Sequence, residues 1–358
     1  MKNRQRLFGA GVTVIAVLLA FAIGCIIIAA QGANPIQAMG YLFRGAFGNT
    51  TNISATLVRA TPLIFTGLCA CFAYRCGMFN LGGEGQFIMG AVVTVWVGVT
   101  WGVTGPAATL LCILLGTVAG GLWGAIPGIL KVTRGLNEMI VSIMLNYVAT
   151  LFMGLMYSSV MREGNIPQTP PVPAETQIPR IFSGVRVTWS IVIAMLLAAV
   201  VQYFLFRTSA GFRLRAVGVN SLAARYNGLD TKKYILFSFM VSGAIAGLGG
   251  SVEILGTQYR LISGFALGFG FDGVAIALIA QLNPIATVFV AWFFAILRTG
   301  ATTMQVGSGV PTSVVSIIQA LVIVFAVAGL ALVYLPQVQQ FFSRFTRRRK
   351  AEAAVEGA

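Results

Sequence analysis

Long apolar stretches separated by short polar segments run through almost the whole chain. A helix that crosses the roughly 30 Å hydrocarbon core of a bilayer needs about 20 mainly apolar residues. Stretches of this kind predict transmembrane helices near residues 7–30, 53–74, 86–104, 106–130, 139–161, 187–206, 234–256, 268–282, 285–304 and 312–335. We therefore predict an all-α fold, a polytopic membrane bundle of about ten transmembrane helices.

The pattern divides the chain into three regions. Residues 1–30 are predicted to form an N-terminal transmembrane helix, residues 31–340 the main transmembrane domain, and residues 341–358 a basic tail. The basic start and the apolar run after it resemble a secretory signal peptide. However, the run continues to about Ala30, which is longer than a signal core. We therefore predict that the first helix is not cleaved.

The composition also indicates a membrane protein. Hydrophobic residues make up 57% of the chain and charged residues only 9%, whereas about 25% of the residues of a soluble domain are charged. So few charges cannot cover a surface that faces water. The net charge of +15 would suggest a nucleic-acid partner for a soluble protein, but here we expect none, because the basic residues concentrate on one side of the membrane.

The basic residues predict the orientation. Most of the 24 Lys and Arg residues fall at the N-terminus, in the loop 207–233 and in the tail. Because basic loops stay in the cytoplasm, both termini are predicted to be cytoplasmic, with the tail against lipid headgroups. The same pattern predicts Arg59, Arg298, Arg180 and Arg186 on the outside.

The sequence contains no residue set for catalysis, metal binding or a bound cofactor. It has no His, which removes the usual general base and the commonest metal ligand. The five Cys residues lie in or beside apolar runs and are predicted to be buried thiols. A phosphate-binding loop of the form GxxxxGK[ST] is also missing, so any ATP must be hydrolysed by a partner.

Glycine is arranged in ways that predict close helix packing. One predicted span has glycine at every fourth position, and a second repeats the spacing, at Gly116, Gly120, Gly124 and Gly128 and at Gly243 and Gly247. Such smooth faces let helix backbones approach closely in lipid. An acid followed by glycine, Glu84-Gly85 and Asp272-Gly273, opens two glycine-broken spans of opposite direction, which indicates a weak inverted repeat.

The loop 207–233 contains a predicted short helix. Asn220 is a good N-cap, residues 221–227 provide about two turns, and Gly228 can end them. Leu222, Ala223 and Tyr226 would share one face. A capped helix with an apolar face beneath the membrane fits a docking surface for another protein, and the alternative is an ordinary amphipathic connector.

This loop resembles the coupling-helix region of permeases from binding-protein-dependent ABC importers for ribose-type sugars, nucleosides and branched-chain amino acids. Three further stretches agree: Arg75–Gln86, Gly135–Ile140 with Leu145–Tyr147, and Gly268–Gly273. The F-N-x-G-x-E-G-Q pattern that starts at Phe79 is most similar to the nucleoside permease branch. The resemblance covers about residues 50–335 and implies a bacterial inner-membrane protein.

The resemblance implies an importer subunit that forms the path for a nucleoside, with a simple sugar as the alternative substrate. It implies as partners a separate ABC ATPase, a second homologous permease in a heterodimer, and an extracytoplasmic binding protein. Arg180 and Arg186 would meet the binding protein. The residues implied in the ATPase groove are Gly218, Asn220, Ala223, Ala224 and Gly228.

Polar residues at membrane depth are candidates for function because they are costly there. Five of them could offer hydrogen bonds to a substrate along the path, namely Asn80, Glu84, Gln86, Asn146 and Asp272. In the alternative interpretation, Glu84 and Asp272 pair with Arg75 or with helix N-termini and only hold the bundle together.

Two other functional classes stay open at this point. A secondary transporter driven by protons or sodium would use a buried acid, and Glu84 and Asp272 are available. The capped helix in the loop 207–233 argues against it, because such a transporter needs no ATPase. A membrane enzyme is disfavoured because the chain lacks His and a paired acidic cluster.

Overall fold

The computed structural model describes residues 2–102, 104–182, 184–266 and 268–333. Within these ranges the regular structure is helical, apart from three isolated β-bridges. The helices are α1 (Lys2–Ala30), α2 (Pro35–Phe47), α3 (Thr50–Arg75), α4 (Gly83–Thr100), α5 (Pro106–Arg134), α6 (Glu138–Leu155), α7 (Ser190–Arg207), α8 (Ser209–Val219), α9 (Ser221–Tyr226), α10 (Thr231–Glu253), α11 (Phe269–Ile279), α12 (Pro284–Ser308) and α13 (Thr312–Val333). The predicted tail 341–358 lies outside the described residues.

The all-helical membrane fold is confirmed, and each predicted span contains a helix. Among the described residues, seven helices are long and apolar enough to cross a membrane: α3, α5, α6, α7, α10, α12 and α13. An eighth span results if Val14–Ala30 and Pro35–Phe47, which meet at a bend of 118°, are counted as one. Two of the ten predicted spans, those at α4 and α11, are not among these eight. α4 begins with the polar turn Gly83–Gln86, and α11 has only 11 residues.

Helix α2 is not among the predicted elements. Asn34 starts it, because its Oδ1 accepts hydrogen bonds from the backbone N–H groups of Ile36 (3.0 Å) and Gln37 (3.3 Å). Pro35 occupies the first helical position, where its missing N–H costs nothing. The dipeptide Asn34-Pro35 therefore marks the start of α2 in the sequence. The helix was not predicted because it contains no apolar run of about 20 residues.

The chain forms two compact units, one of which is Phe43–Gly300. Within that unit α10 packs against α3, α4 and α5. The predicted glycine faces are confirmed at the contact between α5 and α10. A Cβ added at Gly120 or at Gly243 would lie 2.5 Å from the carbonyl oxygen of the other residue, and one at Gly247 would lie 2.6 Å from that of Gly116. The two backbones are in contact, so any side chain larger than hydrogen would separate the helices.

The segment 162–186 is irregular, as its prolines predict, with one 3-10 turn at Ala174–Thr176. It is hydrogen-bonded to the chain that follows α10, which continues as a π-helical turn over Ile254–Gln258. The backbone N–H of Val172 donates to the carbonyl of Tyr259 (2.8 Å), and that of Ile178 donates to the carbonyl of Leu255 (2.9 Å). The segment is thus fixed to the end of α10.

The second unit contains the described residues before Phe43 and after Gly300. In it α1 packs along α13. Gly24 allows this contact, because a Cβ there would lie 2.5 Å from Cδ1 of Ile318. The packing of these two helices therefore again depends on a small residue.

Candidate functional site

The N-termini of α4 and α11 meet inside the unit Phe43–Gly300. A Cβ added at Gly270 would collide with the backbone of Glu84, and Glu84 Oε2 accepts a hydrogen bond from the backbone N–H of Gly268 (3.2 Å). Two helix N-termini facing each other bring two positive dipole ends together. Glu84 and Asp272, each in the first turn of one of these helices, place negative charge there.

Asn80 and Gln86 form a closed amide pair. Each side-chain amide nitrogen donates to the other residue's amide oxygen, at 3.0 and 3.1 Å. Asn80 also donates to Ser242 Oγ on α10 (2.9 Å) and accepts from the backbone N–H of Gly82 (3.0 Å). Both amides are almost fully buried. They hold the turn between α3 and α4 in shape and attach it to α10.

Asn146 makes the same kind of link from α6. Its Oδ1 accepts from the backbone N–H of Gly85, and its Nδ2 donates to the carbonyl oxygen of Leu81, both at 2.8 Å. Asn146 is also buried. Three of the five predicted path residues, Asn80, Gln86 and Asn146, are therefore joined to the broken start of α4, with their amide groups occupied by neighbours within the chain.

Replacing Asn80 by Leu is expected to lower the thermal stability of the purified protein by several degrees. The backbone N–H of Gly82 and the amide of Gln86 would lose partners in a buried site, where each unsatisfied polar group costs about 1–3 kcal/mol. Thermal unfolding in detergent measures the shift. Asn165→Leu in the exposed part of the segment 162–186 is the control, and equal melting temperatures for the two variants would contradict the assignment.

Asp272 forms an ion pair with Arg298 of α12. Arg59 of α3 joins this cluster, because its Nη1 donates to the carbonyl oxygen of Arg298 (2.7 Å). The cluster holds two positive charges and one negative charge. The side chains of Asp272 and Arg298 are 15% and 32% exposed, and Arg59 is exposed.

Arg59 and Arg298, which the sequence predicts on the outside, lie within α3 and α12 rather than in loops. Arg59 lies nine residues after the start of α3 and Arg298 ten residues before the end of α12, which is about 14–15 Å along each helix at 1.5 Å per residue. The count of basic residues per side cannot separate loop arginines from arginines within helices. Arg298, a single Arg inside an otherwise apolar run, was the feature of the sequence that could have identified the partner of Asp272.

The loop 207–233 folds as predicted around Asn220. The Oδ1 of Asn220 accepts from the backbone N–H of Ala223 (2.9 Å), α9 follows, and Gly228 has φ of +79° at its end. Asp230 then caps α10 through the backbone N–H of Lys233, and this hydrogen bond is the largest cause of a lowered pKa of Asp230. Helix α8 was not predicted from the sequence. Thr208 caps it by accepting a hydrogen bond from the backbone N–H of Gly211 (3.0 Å).

The tip of this loop exposes apolar side chains. Val219, Leu222 and Tyr226 are 87%, 62% and 85% exposed. Of the residues implied in the ATPase groove, Asn220, Ala223 and Gly228 are also exposed. Together these six residues form a surface that we call the α9 surface.

The other two residues implied in that groove face inward. Gly218 lies against the backbone of Gly77, where an added Cβ at Gly77 would be 3.1 Å from the Cα of Gly218. Ala224 is buried. The small size of Gly218 therefore allows the loop to pack against the end of α3.

The segment 162–186 borders a cavity of about 740 Å³. Arg180 lines it, together with Thr109 of α5, Gln177 and Tyr259. Arg186 is exposed on the same segment. Both arginines are thus placed where another molecule can reach them.

Comparison with known proteins identifies the class of this arrangement. Residues 52–327 match the family described as branched-chain amino acid transport system / permease component. This match runs from the first turn of α3 into α13 and includes the loop 207–233 and the meeting point of α4 and α11. No solved structure matches the chain.

Three relatives match over nearly their full length. The guanosine ABC transporter permease protein NupP of Bacillus subtilis is 37% identical over 90% of this chain and 94% of its own. A glucose ABC transporter permease protein of Haloferax volcanii is 34% identical over 94% and 89%. The nucleoside ABC transporter permease protein NupB of Lactococcus lactis is 32% identical over 96% and 98%. The chain therefore belongs to the family of branched-chain amino acid transport system permease components and is an ABC transporter permease rather than an enzyme.

Proposed function

We propose that this chain is the permease subunit that carries a nucleoside through the bacterial plasma membrane, driven by a separate ABC ATPase. The observation that carries the proposal is the α9 surface, a capped helix that exposes apolar side chains on a loop between two membrane helices. We assign this surface to a protein partner, because contiguous exposed apolar side chains mark interaction sites. The nucleoside is proposed from the names of two of the relatives.

We further propose ten membrane crossings, with α4 and α11 completing the eight that length and composition support. Because their N-termini meet each other, both helices start at membrane depth, as the halves of an inverted repeat would. Both termini, the α9 surface and the basic tail 341–358 are then cytoplasmic, and the segment 162–186 faces outward. Residues 1–30 precede a permease domain over 31–340.

The charged cluster Arg59, Asp272 and Arg298 is proposed to line the translocation path. Charged side chains at membrane depth face a water-filled cavity or another subunit rather than lipid. All three are at least partly exposed, and together they offer donors and an acceptor to the base or ribose of a nucleoside. In this proposal the start of α4 is held in place next to the path by Glu84, Asn80, Gln86 and Asn146.

The partners follow from the same scheme. An ATPase binds the α9 surface, a second homologous permease completes the path, and an extracytoplasmic binding protein meets Arg180 and Arg186 beside the cavity at Tyr259. No cofactor is assigned to this chain, and ATP is used by the partner.

Asp272→Asn is expected to lower nucleoside uptake about tenfold or more, because a hydrogen bond to a charged group contributes about 1.5–3 kcal/mol. The variant should assemble with its partners at the wild-type level. Uptake of radiolabelled guanosine into cells and co-purification of the subunits measure the two effects. Glu352→Gln in the tail is the control. If uptake and assembly fell in parallel, Asp272 would only hold the bundle together.

A sugar is the second candidate substrate, because the Haloferax volcanii relative is named a glucose permease and is 34% identical. Competition decides between the two. A tenfold excess of unlabelled guanosine or uridine should suppress uptake of labelled guanosine, while glucose and ribose should not. ATP-dependent uptake of labelled glucose or ribose that excess nucleoside does not suppress would replace the nucleoside assignment.

A further inference from the structure

The turn between α11 and α12 is strained. Gln281 and Leu282 have φ of +53° and +56°, so two consecutive residues with side chains adopt the left-handed conformation. This conformation is disfavoured for residues other than glycine, and it persists only where neighbouring contacts hold it. The turn directly follows the short helix α11, which carries Asp272 at its other end.

Arg75, the last residue of α3, holds this turn. Its Nε donates to the carbonyl oxygen of Leu282 (2.9 Å), and its Nη2 donates to that of Gln281 (3.2 Å). The guanidinium thus engages both left-handed residues in the fork geometry that Arg provides and Lys does not. Its positive charge is also favourable at the C-terminus of α11.

Arg75 is at the same time in contact with the loop 207–233. Its guanidinium carbon lies 5.1 Å from the ring centre of Phe206 on α7, and that of Arg215 on α8 lies 4.9 Å from the same centre. Both distances are within the range of cation–π attraction. The backbone of Gly218, also on α8, lies against the turn that follows Arg75, at Gly77. Arg215 of α8 is therefore linked to Arg75 through the ring of Phe206, and Gly218 of α8 lies directly against the backbone of Arg75, with which a Cβ added at Gly218 would collide.

The far end of α11 is fixed as well. The backbone N–H of Gly268 donates to Glu84 (3.2 Å), and Asp272 pairs with Arg298. α11 has only 11 residues and connects this end directly to the turn at Gln281 and Leu282. The turn at Gln281 and Leu282 and the cluster around Asp272 are therefore joined by a single short helix.

We infer that Arg75 is a positioning residue that transmits movement of α8 and α9 to α11, by holding or releasing the strained turn at Gln281 and Leu282. This inference rests on the proposed function, because it requires an ATPase that moves the α9 surface. A shift of α8 moves Arg215 and Gly218, and these contacts displace the guanidinium of Arg75 through the ring of Phe206 and the turn at Gly77. The turn then relaxes, and α11 changes the position of Asp272 in the path.

The test uses the complete transporter, with its ATPase and second permease, in proteoliposomes. Arg75→Gln is expected to lower ATP-driven guanosine uptake by about tenfold or more, within the usual range of coupling between two sites. Co-purification of the ATPase and its rate of ATP hydrolysis should stay near the wild-type level. The ATP hydrolysed per guanosine transported therefore rises about tenfold. Arg75→Lys, which keeps the charge but loses the fork, should give an intermediate ratio.

A second variant separates coupling from a purely structural role. Replacing Gln281 and Leu282 by glycine removes the strain, so adding both changes to Arg75→Gln should restore the melting temperature if it has fallen. Restored stability with uptake still low supports the inference. Recovery of uptake together with stability would overturn it, because Arg75 would then only hold the turn.

The two proposals fail differently. If the wild-type transporter shows ATP-dependent uptake and Arg75→Gln keeps the wild-type ratio of ATP to guanosine, the inference is overturned while the proposed function stands. If the wild type shows no ATP-dependent uptake, the proposed function is overturned and the inference with it.

Discussion

Replacing Leu222 and Tyr226 by aspartate is expected to abolish co-purification of the ATPase and uptake of nucleoside, while the chain still inserts into the membrane. Both side chains are exposed on α9, away from the contacts that fold the loop. An apolar side chain buried in an interface contributes about 1.5–3 kcal/mol. Losing two of them and adding two charges should weaken binding by at least about 100-fold.

The matched control makes the same kind of chemical change in the segment 162–186. Ile166 and Phe182 are exposed apolar residues of the segment 162–186, and their double replacement by aspartate should leave ATPase co-purification unchanged. Affinity purification of the tagged chain followed by immunoblotting gives the readout. Normal recovery of the ATPase with the Leu222 and Tyr226 variant would refute docking at the α9 surface.

Gly120→Val is expected to prevent folding. The Cβ would lie 2.5 Å from the carbonyl oxygen of Gly243 and the Cα of Gly247. These are backbone atoms, so no side-chain rotation can make room and α5 must separate from α10. The cost is about 3 kcal/mol or more. Since α10 also packs on α3 and α4, we expect aggregated material in size-exclusion chromatography and little folded protein.

Gly154→Val on α6 is the control for this prediction. A Cβ there would meet only the hydroxyl of Tyr157, at 3.9 Å, so a larger side chain fits. This variant should elute as the wild type does. If both variants eluted alike, close contact of the α5 and α10 backbones would not be required.

The helical fold could be predicted because the length and apolar composition of a run of residues identify a membrane helix. Boundaries were clearest where a capping residue stood at the start of a helix, as at Asn220, whose predicted cap is present. Helix α2 escaped because its 13 residues are fewer than a span needs. The number of crossings could not be fixed, because α11 is too short and the first turn of α4 too polar for a length criterion.

The functional residues were only partly predictable. Residue type and depth identified Asn80, Glu84, Gln86, Asn146 and Asp272 as unusual, but not which of them satisfy one another. Arg298 lies 26 residues from Asp272 along the chain and Arg59 lies 239 from Arg298, so no local pattern links them. The hydrogen bonds of Arg75 to the turn between α11 and α12 could not be predicted either, since their acceptors are backbone carbonyls more than 200 residues away along the chain.

The most direct test of the account is ATP-driven guanosine uptake by proteoliposomes that contain this chain. We predict accumulation only when the second permease, the ATPase and ATP are all present, together with the binding protein on the outside. The chain alone should show none under a proton or sodium gradient. Accumulation by the chain alone under such a gradient would contradict the account and identify an ion-coupled transporter.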